Sequence, residues 1–206
     1  FALLGADLHA DVIATRSGHG LNQTAVRALR ELLEEREIAA PTLDTPAWLP
    51  WVLEEQRACR EDAVVFDQTS FSKFVLKGRD ALAVLQRLCA NEIDVPPGRM
   101  VYTAMLNARG GFESDLTVLR VAEREFFILT GSAQATRDFS WIERHIATDE
   151  HASLVDVTSA WSVISVMGPK AQPLLESLSS DSLARDALPF AHVATIDGAS
   201  LCVRAP

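Results

Sequence analysis

Val101-Tyr102-Thr103-Ala104-Met105-Leu106-Asn107-Ala108-Arg109-Gly110-Gly111-Phe112-Glu113-Ser114-Asp115-Leu116-Thr117-Val118 is the stretch that decides the fold class. Two strand-like runs, 101–106 and 112–121, flank a turn whose paired glycines reach backbone conformations closed to other residues, so the stretch reads as a β-hairpin. Period two then places Glu113, Asp115, Thr117 and Leu119 on one face and Ser114, Leu116 and Val118 on the other. Two carboxylates that share a face just after a turn either meet solvent or hold a polar ligand. Tyr102 is the sole tyrosine of the chain and sits on the partner strand. Read alone, it is more often a core residue with a partnered hydroxyl than a ligand contact.

Working outward, the run 126–130 leads through Gly131-Ser132 into a helix with Ala135, Phe139, Ile142 and Ile146 on its buried side. On the other flank, residues 71–77 alternate Ser72, Phe74 and Leu76 with Phe71, Lys73, Val75 and Lys77, the pattern of a half-buried strand. Asp80 is then the expected cap of a helix whose apolar side is Ala81, Val84, Leu85 and Leu88. A helix around 50–61 precedes these elements. Downstream come strand-like runs at 155–157 and 161–167, a helix opened by Gly168-Pro169 with proline in its first turn, and a hairpin of 192–196 and 199–204 around Asp197-Gly198. Hairpins mixed with helices predict an α+β fold, a largely antiparallel sheet with flanking helices. Two prolines among small and polar residues at 39–46 read as a linker. The expected division is an unassigned extension, 1–45, and a domain, 46–206. The extension carries one amphipathic helix, with Asn22 as cap and Ala25, Ala28, Leu29, Leu32 and Leu33 on its apolar side.

The 206 residues are 48% hydrophobic with a net charge of −9, enough for one domain or two small ones. An acidic chain without a Lys/Arg run is a poor sequence-independent ligand for nucleic acid or an anionic membrane. No apolar run of membrane-spanning length and no signal-peptide pattern is present, so the expected location is the cytoplasm or a mitochondrial matrix. The sequence begins with Phe1. Cys59, Cys89 and Cys202 stand far apart and read as buried free thiols rather than a disulfide framework or zinc ribbon. Asp7, His9 and Asp11 alternate as metal-capable side chains but lack distant partners, so a solvated strand or turn is the preferred reading and no metal site is expected. Gly18-His19-Gly20 lacks both the third glycine of a dinucleotide fingerprint and the lysine of a P-loop. No G-x-S-x-G and no cysteine spaced against a base supports nucleophilic hydrolysis.

Several blocks, taken together, resemble a known family. They are Glu54-Glu55-Gln56-Arg57-Ala58-Cys59-Arg60-Glu61, then Phe66-Asp67-Gln68-Thr69-Ser70-Phe71-Ser72-Lys73-Phe74, then Leu85-Gln86-Arg87-Leu88-Cys89-Ala90-Asn91-Glu92. The hairpin follows, and the order and spacing continue through Thr130-Gly131-Ser132, Arg137-Asp138-Phe139-Ser140-Trp141-Ile142 and Val166-Met167-Gly168-Pro169. In register, they resemble the folate-binding domain of the glycine-cleavage T-protein superfamily. Glu113-Ser114-Asp115-Leu116-Thr117-Val118 and Leu129-Thr130-Gly131 look more like the folate domain fused to dimethylglycine and sarcosine dehydrogenases.

The resemblance implies a tetrahydrofolate site. Asp115 falls on the family's aspartate that orients and activates the folate nitrogens, Tyr102 on a pterin-side contact, and Thr130 and Gly131 on the loop lining the same pocket. The implied activity is capture, as 5,10-methylenetetrahydrofolate, of the methylene unit released when dimethylglycine- or sarcosine-type amines are oxidatively demethylated. Flavin (FAD) is expected only on a separate or missing domain or chain, because no G-x-G-x-x-G occurs here. The alternatives are a T-protein-like aminomethyltransferase acting on a lipoyl carrier and a non-catalytic folate-binding assembly or repair factor. The family's Y-x-G-E block, whose glutamate clamps the pterin, is expected beyond Val203-Arg204. The chain is therefore expected to be the first portion of such a domain, with weak folate binding in isolation.

Overall fold

The computed structural model describes residues 45, 48–196 and 199–203. The chain divides into two units. Within the first, helix α1 (Leu49–Glu61) precedes strand β1 (Val64–Asp67), which pairs antiparallel with β7 (Ile164–Met167). Gly168 has a φ of +112°, and a Cβ there would lie 2.2 Å from the Asp62 carbonyl oxygen, so this close approach of two backbones requires glycine. The expected helix with proline in its first turn starts later: α4 (Ala171–Glu176) begins two residues after Pro169, and the Gly168 carbonyl accepts the Ala171 N–H.

The second unit holds a five-stranded sheet in the order β3-β4-β5-β2-β6, antiparallel at every junction. Its strands are β2 (Ser72–Lys77), β3 (Arg99–Leu106), β4 (Phe112–Ala122), β5 (Glu125–Thr130) and β6 (Ser153–Asp156). Helices α2 (Ala81–Leu88) and α3 (Ala135–Arg144) cover one face. Phe74, Leu76, Leu116, Val118, Phe126 and Ile128 from the strands meet Ala81, Val84, Leu85, Leu88 and Ile142 from the helices in one apolar core. A mixed helix and strand fold with antiparallel sheets is what the alternation predicts, and all four expected α2 residues are buried. A last hairpin, β8 (Val193–Ile196) and β9 (Ala199–Val203), closes the described chain, with Ile196 opposite Ala199. The readings placed on Asp7, His9, Asp11, Gly18-His19-Gly20 and the helix after Asn22 lie outside the described residues, as does the Asp197-Gly198 turn.

Asp80 precedes α2 but makes no capping bond to it. Its Oδ2 instead accepts the His151 backbone N–H at 2.7 Å, tying the loop before β6 to the start of the helix. This bond, foremost among the causes, holds the Asp80 carboxyl below the ordinary range. Local sequence names a cap by type, whereas the nearest unsatisfied donor here comes from a loop 71 residues away. Cys89 is a free thiol pushed up to about 12 by burial; Cys59 is also free.

Candidate functional site on the open sheet face

The sheet face away from α2 and α3 is built by alternation. Ala104 pairs with Asp115, and the next row runs Tyr102, Thr117, Leu129 and Lys73 across four strands. Toward the β2 side this face is closed: Lys73 is fully buried with its ammonium donating to the Thr69 carbonyl at 2.8 Å, and Trp161 packs edge-on against Phe127. Toward the β3 side it is open. Tyr102 is 62% exposed, and its hydroxyl donates to Asp115 Oδ2 at 2.7 Å. Asp115 is half-buried and, among the described residues, its other oxygen accepts no hydrogen bond. The bond to the carboxylate, reinforced by its charge, pushes the Tyr102 hydroxyl above the ordinary phenol range, so the phenol keeps its proton at neutral pH.

Glu113 does not share this face. Met105 pairs with Ser114 and Leu106 with Phe112, so Glu113 is the extra residue of a β-bulge. The bulge breaks the period-two pattern and turns Glu113 toward α3, where Arg137 donates to Oε2 at 2.8 Å and Asn107 to Oε1 at 2.8 Å. Both bonds hold its carboxyl below the usual range. Asn107 also accepts the Arg109 and Gly111 N–H groups with its Oδ1, which fixes the turn around Gly110 at a φ of +75°. Asp115 is thereby left as the one carboxylate of this strand on the open face.

Thr130 is not brought to Asp115. Its side chain is buried on the helix-covered face and donates to Asp138 Oδ2, the same oxygen that accepts the Ser114 hydroxyl at 2.9 Å. Gly131 follows in extended conformation at the start of the segment leading into α3. Sequence reasoning missed Asp138, which is 1% exposed. The signal was present: 135, 138, 139 and 142 have the spacing of a buried helix stripe, and an aspartate in that stripe needs partners. A fully buried Lys73 had no such signal, because alternation on a half-open strand assigns a lysine to solvent.

The arrangement offers a hydrogen-bond acceptor held by one phenol, with an exposed aromatic ring beside it. Among the described residues no group of histidine, cysteine and carboxylate side chains could hold a metal ion, and no helix is long and apolar enough to cross a membrane.

Known proteins of similar sequence include the mouse (Mus musculus) mitochondrial pyruvate dehydrogenase phosphatase regulatory subunit, 35% identical over 72% of this chain and 17% of that protein. The 4-methylaminobutanoate oxidase (formaldehyde-forming) of Paenarthrobacter nicotinovorans is 37% identical over 74% of this chain and 19% of its own length. Mouse mitochondrial sarcosine dehydrogenase is 33% identical over 80% and 19% respectively. The chain thus spans under a fifth of these three relatives. In fold it is similar to the glycine cleavage system aminomethyltransferase T of Bartonella henselae, with a TM-score of 0.67, 22% identity, and 86% of this chain and 49% of that one covered. The model of the GCVT N-terminal domain matches residues 26–205, and the chain belongs to that family.

Proposed function

We propose that this domain takes part in tetrahydrofolate-dependent one-carbon transfer, receiving the methylene unit released by oxidative demethylation of an N-methylated amine. The observation that carries the reading is the Asp115 carboxylate, set on the open face by Tyr102 with its second oxygen available. The residues fit a reduced pterin: Asp115 can accept hydrogen bonds from ring N–H groups, and the exposed Tyr102 ring offers an apolar surface to a flat heterocycle. When bound, the carrier supplies the nucleophilic nitrogens. Asp115 would hold those nitrogens in place, accept the proton that one of them loses, and stabilise positive charge developing beside it. Tyr102 keeps the carboxylate aimed while remaining protonated itself. Gly131 would leave backbone space at the pocket wall, and Thr130 would contribute through that loop rather than by its side chain.

Two relatives named for dehydrogenating or oxidising methylated amines, one of them formaldehyde-forming, support the source of the one-carbon unit. A flavin-bearing domain or chain is the proposed partner for that oxidation. The regulatory subunit among the relatives favours a second reading, a domain that binds folate without turning it over.

Titration calorimetry of the full-length protein with tetrahydrofolate, followed by assay of 5,10-methylenetetrahydrofolate formed from the methylated amine, separates the readings. Binding with product formation supports transfer. Binding without product supports the regulatory reading, and no binding overturns both.

A further inference from the structure

We propose that Asp138, on the far side of the sheet, is a positioning residue that aims Asp115 at Tyr102. A single oxygen, Asp138 Oδ2, accepts the Thr130 hydroxyl and lies 2.9 Å from the Ser114 hydroxyl, whose one proton it shares as an acceptor with Gln134 Oε1, also at 2.9 Å. Ser114 immediately precedes Asp115 on β4, and Thr130 of β5 pairs with Leu116, the residue immediately after it. The clamp therefore holds β4 on both sides of Asp115 and ties it to β5 and α3 at once. It sits one residue beyond the bulge at Glu113, where the ladder is interrupted and the strand is free to twist. Without a fixed point there, the direction of the next outward side chain would be set only by the ladder beyond it.

The energetics favour direction over stability as the role of this carboxylate. Asp138 is 1% exposed in the apolar stripe of α3, and its Oδ1 is buried with no hydrogen-bond partner. Such a group costs free energy that an apolar side chain at the same position would not. What the carboxylate adds is a common acceptor for two hydroxyls from two strands, which an apolar residue cannot provide. Its consequence for one-carbon transfer rests on the function proposed above; its consequence for the Tyr102–Asp115 pair does not.

The chain carries its own probe, because Tyr102 is its only tyrosine and the alkaline absorbance titration of the 206-residue chain reports that one hydroxyl. The hydrogen bond to Asp115 raises this titration. Asp138→Leu, which removes the acceptor, and Thr130→Val, which removes a donor, are expected to move the midpoint back toward that of a free phenol, while Thr130→Ser, which keeps a hydroxyl for Asp138, holds it near wild type. Asp115→Asn, which removes the carboxylate, sets the lower limit. Should Asp138→Leu fail to fold, Thr130→Val against Thr130→Ser decides by itself, since the first keeps the shape of threonine without its hydroxyl and the second keeps the hydroxyl without the methyl. A midpoint unchanged in Thr130→Val while Asp115→Asn lowers it would overturn the positioning role, and an unchanged midpoint in Asp115→Asn would overturn the pair itself. In the full-length protein, Thr130→Val is expected to lower kcat about tenfold with KM for tetrahydrofolate within about twofold, the split expected when geometry rather than binding is lost. Failure of the wild-type protein to bind folate would remove the proposed function and leave the titration result standing.

Discussion

Asp115 has one oxygen committed to Tyr102 and, among the described residues, a second that accepts no hydrogen bond. If it is the group that accepts a proton during transfer, charge rather than shape is what it supplies. Asp115→Asn keeps the shape, leaves Tyr102 an amide oxygen to donate to, and is expected to lower one-carbon transfer by about a hundredfold or more with the fold preserved. The yield of 5,10-methylenetetrahydrofolate and the circular dichroism spectrum of the variant check the two halves of that statement, and an unchanged yield would remove Asp115 from the proposed mechanism. Tyr102→Phe keeps the ring and removes the donor, so its expected loss is smaller than that of Asp115→Asn and falls on kcat before KM. An equal or larger loss would make the phenol itself the essential group.

At the scale of the element, period and turn chemistry carried the hairpin, α2 and the strand β2, because each is specified by neighbours in sequence. Where the pattern misled, a long-range partner had overruled it. Asp80 caps nothing because the His151 N–H reaches it first, and Glu113 leaves Asp115's face because the strand bulges toward Arg137. Of the candidate site, Tyr102 and Asp115 were legible as residues of two facing strands but not as partners, since the bond between them runs diagonally across the register, and the side chain of Thr130 points away by alternation on its own strand, opposite Leu116. Its position in a loop-lining motif spoke for the backbone and said nothing of the side chain.

Two further tests belong to the elements. Gly78, which links β2 to α2, has a φ of +138°, and a Cβ there would stand 2.1 Å from the His151 carbonyl oxygen. Gly78→Ala therefore combines a strained backbone with a backbone clash and is expected to cost about 1–3 kcal/mol, read as a lower urea midpoint. Arg87 holds the same 145–151 loop by donating to both oxygens of Glu150, at 2.8 and 2.9 Å, and to the His145 carbonyl. The Arg87 bonds, with the Ala147 N–H, hold the Glu150 carboxyl below its ordinary range. A carboxyl depressed in the folded state contributes stability above its unfolded pKa and loses it as pH falls through the folded value. Denaturation midpoints of the wild type are thus expected to fall more steeply on acidification than those of Glu150→Gln, with the gap narrowed by added salt because the Arg87 end of the pair is exposed. Parallel pH profiles for the two proteins would show that the pair does not couple to folding.

Across the whole molecule, burial is distributed unevenly, and local stability should follow it. Every fully buried side chain among the described residues belongs to the second unit, whose central strands β4, β5 and β2 are each paired on both edges. The described part of the first unit, residues 48–67 and 164–171, has no fully buried side chain, and its two strands pair only with each other. A two-stranded ribbon without a buried apolar face is marginal in water, because its ladder bonds alone do not outweigh the backbone entropy of ordering it. Hydrogen exchange of the 206-residue chain should therefore find the β1 and β7 amides opening by local fluctuations, while those of β2, β4 and β5 exchange only through the largest openings the chain undergoes. Equal protection in β1 and β2 would show that the first unit draws its stability from contacts beyond its described residues. Such a result would also bear on the site. Asp115 lies on the central strand β4 and Tyr102 on β3, the edge strand paired with it, so their geometry should persist when the ribbon opens, and the Tyr102 titration should be insensitive to destabilising changes confined to β1 and β7.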